Sequence, residues 1–396
     1  MVTYDIANIK DIDIKNLISH NIIQNTPSTT IGLSCKLKEY NDNKYTVIKY
    51  IKKELTNEKI KTIGLFRSII SKNGKILVFA PPKSLKYEDF IKDYSLKDCV
   101  IEEYIEGTMI NLFFDNEWEI STRSNVGGNY KFFNRNNDFT FRRMFLEACN
   151  KTGLEFDSLN KDFCYSFVLQ HPKNRIVIPF DEPKLYLVSC YKIDNETLKV
   201  HYINPSEQST CVSFPQRYSF DSFENIEKYY TINPQSHYQV GLMIHHIPSG
   251  NRTKVRNIQY EFVRRLRENE SNDLYRYLEL RRNRRVTKYL EYFTEEIELF
   301  NYYRKNVEKL TSELYNCYVE IYIKKYKNIN DLNSEMRFHV DKLHNYYLNV
   351  LRIRKQMITK KNVIYYINNM SSHKLYITLI TNYSELKLET PTSIFL

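Results

Sequence analysis

The chain is poor in the two residues that break or loosen backbone, with only 9 Gly and 11 Pro in 396 residues. That scarcity argues against long flexible linkers and for a compact chain. It also lacks any stretch of about 18 consecutive uncharged apolar residues, so no membrane-spanning helix is expected. The first residues, Met1-Val2-Thr3-Tyr4-Asp5, show no basic segment followed by an apolar run, so no secretory leader is expected either. Its seven cysteines are odd in number, scattered, and without the paired spacing of a zinc site. A reducing compartment fits, and the expected location is cytoplasmic. No Ser-His-Asp or Cys-His arrangement can be assembled, and His245-His246 lacks a third ligand at useful spacing. Gly127-Gly128 lacks the lysine of a P-loop and reads as a turn. The expected metal set is none.

Acidic residues are also in deficit. Against 58 Lys and Arg there are 47 Asp and Glu, giving a net charge of +11 and a pI near 9.0. Such a surface attracts polyanions, because each neutralised phosphate releases condensed counterions. Nucleic acid therefore leads the expected partners, with a protein partner as a second possibility and no membrane. The competing account is compositional: abundant Lys, Asn, Ile and Tyr can follow from an AT-rich genome.

Up to about residue 257 the chain reads as short apolar runs broken by turn residues, such as 75–80 after Asn73-Gly74, and 175–178. Between them, 139–149 has helical spacing, with Phe141, Met144 and Phe145 on one face. From 258 on, the period becomes helical. Leu290, Phe293, Ile297 and Phe300, then Val307, Leu310, Leu314, Cys317 and Ile321, recur at three and four residues. Asn328-Ile329-Asn330-Asp331 interrupts the pattern before Met336, Val340 and Leu343 resume it, which predicts a helical hairpin. Two domains are expected, 1–257 and a basic helical 258–396. The second holds Arg281, Arg282, Arg284 and Arg285, with Arg264, Arg265, Arg267 and Arg276 upstream. On a helix such a run is either a solvated face or an RNA-backbone contact, since guanidinium groups match phosphates bidentately.

Several segments in 60–257 carry a more specific pattern. Tyr104-Ile105-Glu106-Gly107-Thr108 follows a strand-like run and precedes a strand ending at Thr122-Arg123-Ser124. Upstream stand Phe66-Arg67-Ser68 and Pro81-Pro82-Lys83; downstream stand Ser166-Phe167-Val168, Pro172-Lys173-Asn174-Arg175-Ile176-Val177, Val240-Gly241-Leu242-Met243, and Lys254-Val255-Arg256 after the Ser249-Gly250 turn. In order and spacing these resemble the nucleotidyltransferase motifs of the phage and viral ATP-dependent RNA ligases. The resemblance implies an α+β, ATP-grasp-like domain of antiparallel sheets around a nucleotide cleft, followed here by an all-α domain. It implies nucleotide- or phosphate-binding roles for Arg67, Lys83, Glu106, Gly107, Arg123, Lys254 and Arg256. Together with the AT-rich composition it points to a large DNA virus.

The pattern departs from the family at three positions. Tyr104 stands where the family has the lysine that attacks the α-phosphate of ATP. Val168 and Val240 stand where it has glutamates. A phenol, with a free pKa of about 10, is a poor nucleophile without a base. Valine offers no oxygen to magnesium. The resemblance therefore implies a degenerate, non-catalytic relative that binds RNA, a nucleotide or a phosphate through a basic cleft, with no assigned catalytic residue. ATP and magnesium would be cofactors only if ligation were retained. The alternatives are an active nucleotidyltransferase with a displaced nucleophile, for which Lys83 is the nearest candidate, and a structural or virion-associated protein that reuses the fold.

Overall fold

The computed structural model describes residues 2–19, 32–131, 139–208, 211–232, 236–268 and 270–386. The described residues divide into two compact units, one running to Arg264 and the other beginning at Arg265. No helix among the described residues is long and apolar enough to cross a membrane.

The first unit is built from three antiparallel sheets. The largest orders its strands as Thr3–Asp5, Lys199–Ile203, Lys184–Asp194, Phe163–Gln170, Thr108–Asp115 and Glu117–Ser121. A second orders Arg217–Tyr218, Cys99–Glu103, Gly241–His246 and Arg252–Arg256; a third is the meander Leu33–Tyr40, Asn43–Tyr50, Ile69–Lys72 and Lys75–Phe79. The meander's first link has Asn41 and Asp42 at φ 47° and 59°, and its last has Asn73 and Gly74 at 50° and 75°. Positive φ at both central residues matches the right-handed twist of the flanking strands, so two residues suffice to reverse the chain.

The helix expected near 139–149 spans Phe141–Thr152, capped by the Thr140 hydroxyl and ended by Gly153 in the left-handed region at φ 71°. It buries Met144, Phe145, Ala148 and Cys149 among Ile110, Phe167, Leu169, Leu185 and Leu187 of the large sheet. One strand expectation fails. The run 175–178 pairs with no strand; Pro172 opens a short 3₁₀ turn at Pro172–Asn174, and the following amides turn to a carboxylate, that of Glu106.

The described part of the second unit is helical, with no strand among its described residues. The stripe over 290–300 is not one helix: Val286–Leu290 stops, a 3₁₀ turn intervenes, and Ile297–Tyr318 restarts. Phe293 and Phe300 are buried, whereas Ile297, at the restart, is 38% exposed. Val307, Leu310 and Leu314 pack towards Ser334–Tyr346, whose Met336, Val340 and Leu343 are buried. Between the two helices, Asn328 and Asp331 form the capping box of a short turn.

Candidate functional site: a basic cleft around Tyr104

The turn after strand Cys99–Glu103 is fixed from its buried side. Glu106 is 4% exposed, and its Oε1 accepts from the amides of Val177 (2.8 Å) and Ile178 (3.0 Å). Burial raises its pKa, opposed by those amides and by the Tyr260 hydroxyl. Asn174 donates from Nδ2 to Thr108 Oγ1 at 2.9 Å, and Gln170 donates to the Glu106 carbonyl at 2.9 Å. Gly107 has φ 146°, and a Cβ there would lie 2.4 Å from the Leu169 carbonyl oxygen. Both motif residues thus hold the backbone in place.

The other side of the turn opens on a cleft of about 200 Å³ lined by Arg67, Lys83, Tyr104, Val168, Arg252 and Lys254, with Glu102, Glu103 and His245 at its edge. Lys254 and Arg256 reach Tyr104 from the neighbouring hairpin, whose strands Gly241–His246 and Arg252–Arg256 reverse at Gly250. The Lys254 Nζ lies 5.7 Å from the Tyr104 ring centre, and Arg256 donates from Nη2 to the phenol oxygen at 3.4 Å. Arg256 is itself held by Glu261.

These charges govern the titration of the cleft. Burial alone would raise the Tyr104 pKa, but Lys254, Arg256 and Arg67 override it and bring the phenol down to about 8. Lys83 is pushed down to about 8 by burial and by its neighbours Lys254, Arg67 and Arg252. Arg67 and Lys254 are lowered for the same reasons. A set of cations that depress one another is waiting for an anion.

Arg67, Lys83 and Lys254 therefore meet at Tyr104. Arg123 stands at the rim, stacked 4.5 Å over Tyr50 and donating to the Tyr50 and Arg67 carbonyls at 3.4 and 3.3 Å. Val168 lines the cleft; Val240 is buried away from it, with its carbonyl accepting from the Asn257 amide. Arg252 and His245 escaped the sequence reading. The signal was present for Arg252, since alternation puts residues 252, 254 and 256 of one strand on one face. The cleft fits phosphates, whereas the side chain at 168 brings no oxygen to a metal.

In the second unit, Arg281 and Arg282 occupy the last turn of helix Asp273–Arg282, where the helix dipole favours cations. Arg281 bonds Asn368; Arg282, Arg284 and Arg285 are exposed. The upstream arginines differ. Arg276 is buried against Asp273 and Glu296, and Arg267 is buried 4.0 Å from Glu296, so both hold helices together.

No family model matches the sequence. An RNA ligase of Rhodothermus phage RM378 is 30% identical over 118 residues, covering 28% of this chain and 26% of the ligase. An immediate-early protein ICP-46 homolog of Invertebrate iridescent virus 3 is 22% identical over 283 residues, covering 68% of this chain and 60% of that protein. The chain thus spans about a quarter of the first relative and less than two thirds of the second. Among solved structures, a Naegleria gruberi RNA ligase with pyrophosphate gives a TM-score of 0.33 at 11% identity, covering 46% of this chain and 57% of that one. A putative ATP-dependent DNA ligase from Aquifex aeolicus gives 0.40 at 12% identity, covering 80% and 77%. Both scores fall below 0.5. The ordered motif segments and the two viral relatives support a relationship to a viral ATP-dependent RNA ligase-like family.

Proposed function

We propose that the protein is a non-catalytic RNA-binding member of this family, in which the cleft around Tyr104 holds a phosphate of an RNA chain. The observation that carries this reading is the phenol of Tyr104 at the position of the family's lysine, bonded by Arg256 and ringed by Arg67, Lys83 and Lys254. Adenylyl transfer through the family's chemistry needs an amine there, and carboxylates at 168 and 240. A cleft in which Arg67, Lys83, Arg252 and Lys254 outnumber Glu102 and Glu103 binds phosphate without turning it over. The open volume beside Tyr104 favours this over a fold reused only for packing.

One observation favours a second reading. Lys83 lines the same cleft with its pKa near 8, so part of it is a neutral amine at physiological pH, as a displaced nucleophile requires.

Incubation of the full chain with α-labelled ATP and magnesium, followed by a denaturing gel, separates the two. The expected result is no covalent label, with RNA binding that weakens as salt rises and falls roughly tenfold in Lys254→Ala. Acid-labile label that disappears in Lys83→Ala would overturn the non-catalytic reading and identify a phosphoramidate on that lysine.

A further inference from the structure

The first unit contains a second cavity, of about 280 Å³, that shares Glu102, His245 and Arg252 with the cleft as a common wall. Three tyrosines from three adjacent strands supply its aromatic surface. Strand Thr3–Asp5 brings Tyr4, Lys184–Asp194 brings Tyr191, and Lys199–Ile203 brings Tyr202. Their rings meet edge to face, Tyr4 with Tyr191 at 6.3 Å and Tyr191 with Tyr202 at 5.9 Å. The hairpin tip closes over them: Tyr4 donates to the Gly250 carbonyl at 3.0 Å, and a Cβ at Gly250 would lie 2.5 Å from the Tyr4 hydroxyl.

The common wall is unusual electrostatically. Arg252 is 8% exposed and forms no ion pair among the described residues. Its Nε and Nη2 donate to the carbonyls of Pro81 and Pro82, which fix the guanidinium but do not neutralise it, and its Nη1 has no hydrogen-bond partner among the described residues. A buried, rigidly held and uncompensated cation between two cavities is costly unless a ligand supplies the opposite charge. The second cavity is not itself built for that anion. Glu102 faces it, bonded by Arg217 at 3.4 Å, beside three tyrosines and the apolar Val2, Val100 and Ile247. A ligand that satisfies both chambers has an anionic part at Arg252 and a flat, hydrogen-bonding, uncharged part among the tyrosines.

We propose that this second cavity takes the base of an unpaired RNA nucleotide whose phosphate sits at Arg252, on the wall shared with the cleft. The proposal rests on the phosphate-binding reading of the cleft and adds base recognition to it. The tyrosines supply sequence-tolerant stacking surface. Glu102, Asn204 and Arg217 supply the acceptors and donors that a base edge needs.

Fluorescence anisotropy of the full chain tests this with two probes: a six-nucleotide single-stranded RNA and a ribose-phosphate chain of the same length without bases. The base-bearing chain should bind about tenfold more tightly or better. Tyr202→Leu keeps apolar bulk in the sheet and should abolish that preference while leaving the baseless chain's affinity unchanged. The surface variant Arg217→Gln, which leaves the core untouched, should reduce the preference severalfold. Lys254→Ala should weaken both probes alike. Equal affinity of the native chain for the two probes would overturn the base pocket and leave the phosphate cleft standing. Salt-insensitive or undetectable binding of both would overturn the cleft reading, and this proposal with it.

Discussion

The two sides of the turn at 104–108 differ in what holds them. On the buried side, Glu106, Gly107 and Thr108 keep the motif's acidic residue, glycine and hydroxyl, and each is tied to backbone or side chain of the 168–178 region. On the open side, Tyr104 and Val168 line the cleft at the positions where the motif resemblance expects a lysine and a glutamate. The buried side is held by several hydrogen bonds and a close backbone approach, whereas the open side faces a cavity. On the proposed non-catalytic reading, the motif stays recognisable through residues that hold the backbone rather than through the position of the nucleophile.

The largest expected effect lies on the buried side. Gly107→Ala places a Cβ against the Leu169 carbonyl at a φ of 146°, where L side chains are strained, so the backbone has to move. We expect a loss of about 3 kcal/mol or more, read as a fall in the denaturant midpoint. Lys254→Ala, on the open side, should leave the midpoint unchanged or raise it, because it removes a cation from a cluster of like charge. A Gly107→Ala chain as stable as the native one would erase the distinction between the two sides.

How much of this could be read in advance follows from the same division. Strand alternation and turn residues are local, so the hairpins at Asn73-Gly74 and Ser249-Gly250 and the helix after Thr140 were visible in the sequence. So was the common face of Lys254 and Arg256. The role of Glu106 was not, because its partners lie about seventy residues away in a segment whose apolar run imitates a strand. Arg252 shares the face of Lys254 and Arg256, so its direction was legible too; what nothing in its sequence neighbourhood shows is that its guanidinium is buried against Pro81 and Pro82. The Arg-rich run mixed buried helix ties with exposed charges, which composition alone cannot sort.

A smaller effect sharpens the electrostatic half of the comparison. Tyr104 ionises near pH 8, below its unfolded value of about 10, so its contribution to stability is fully present above pH 10 and is lost as pH falls from 10 to 8. Tyr4 and Tyr87, by contrast, are pushed up to about 12 by burial. Ultraviolet difference titration of the native chain against Tyr104→Phe should show one tyrosinate appearing near pH 8. Lys83 loses its proton in the same range, so RNA affinity should fall between pH 7 and 9, less steeply in the variant. A first tyrosyl transition near pH 10, identical in both proteins, would mean the cations do not act on the phenol.

The smallest effect is expected in the second unit, where exposed charge is compared with the enclosed charge of the cleft. Arg282 sits in the last turn of a helix and Arg284 just beyond it, a place that suits cations with or without RNA, while Arg285 stands at the start of the next helix, Val286–Leu290. Arg284 has φ 57°, so Asn is the substitution its backbone accepts best; Gln serves at 282 and 285. The combined variant should change stability by no more than about 0.5 kcal/mol. If the three contact RNA phosphates, the slope of log affinity against log salt should flatten by roughly 0.7 for each contact to a single strand. If they only solvate the helix end, the slope should stay where it is, while Lys254→Ala still lowers affinity. An unchanged slope would confine RNA recognition to the first unit and assign the arginine run to the stability of its own helix.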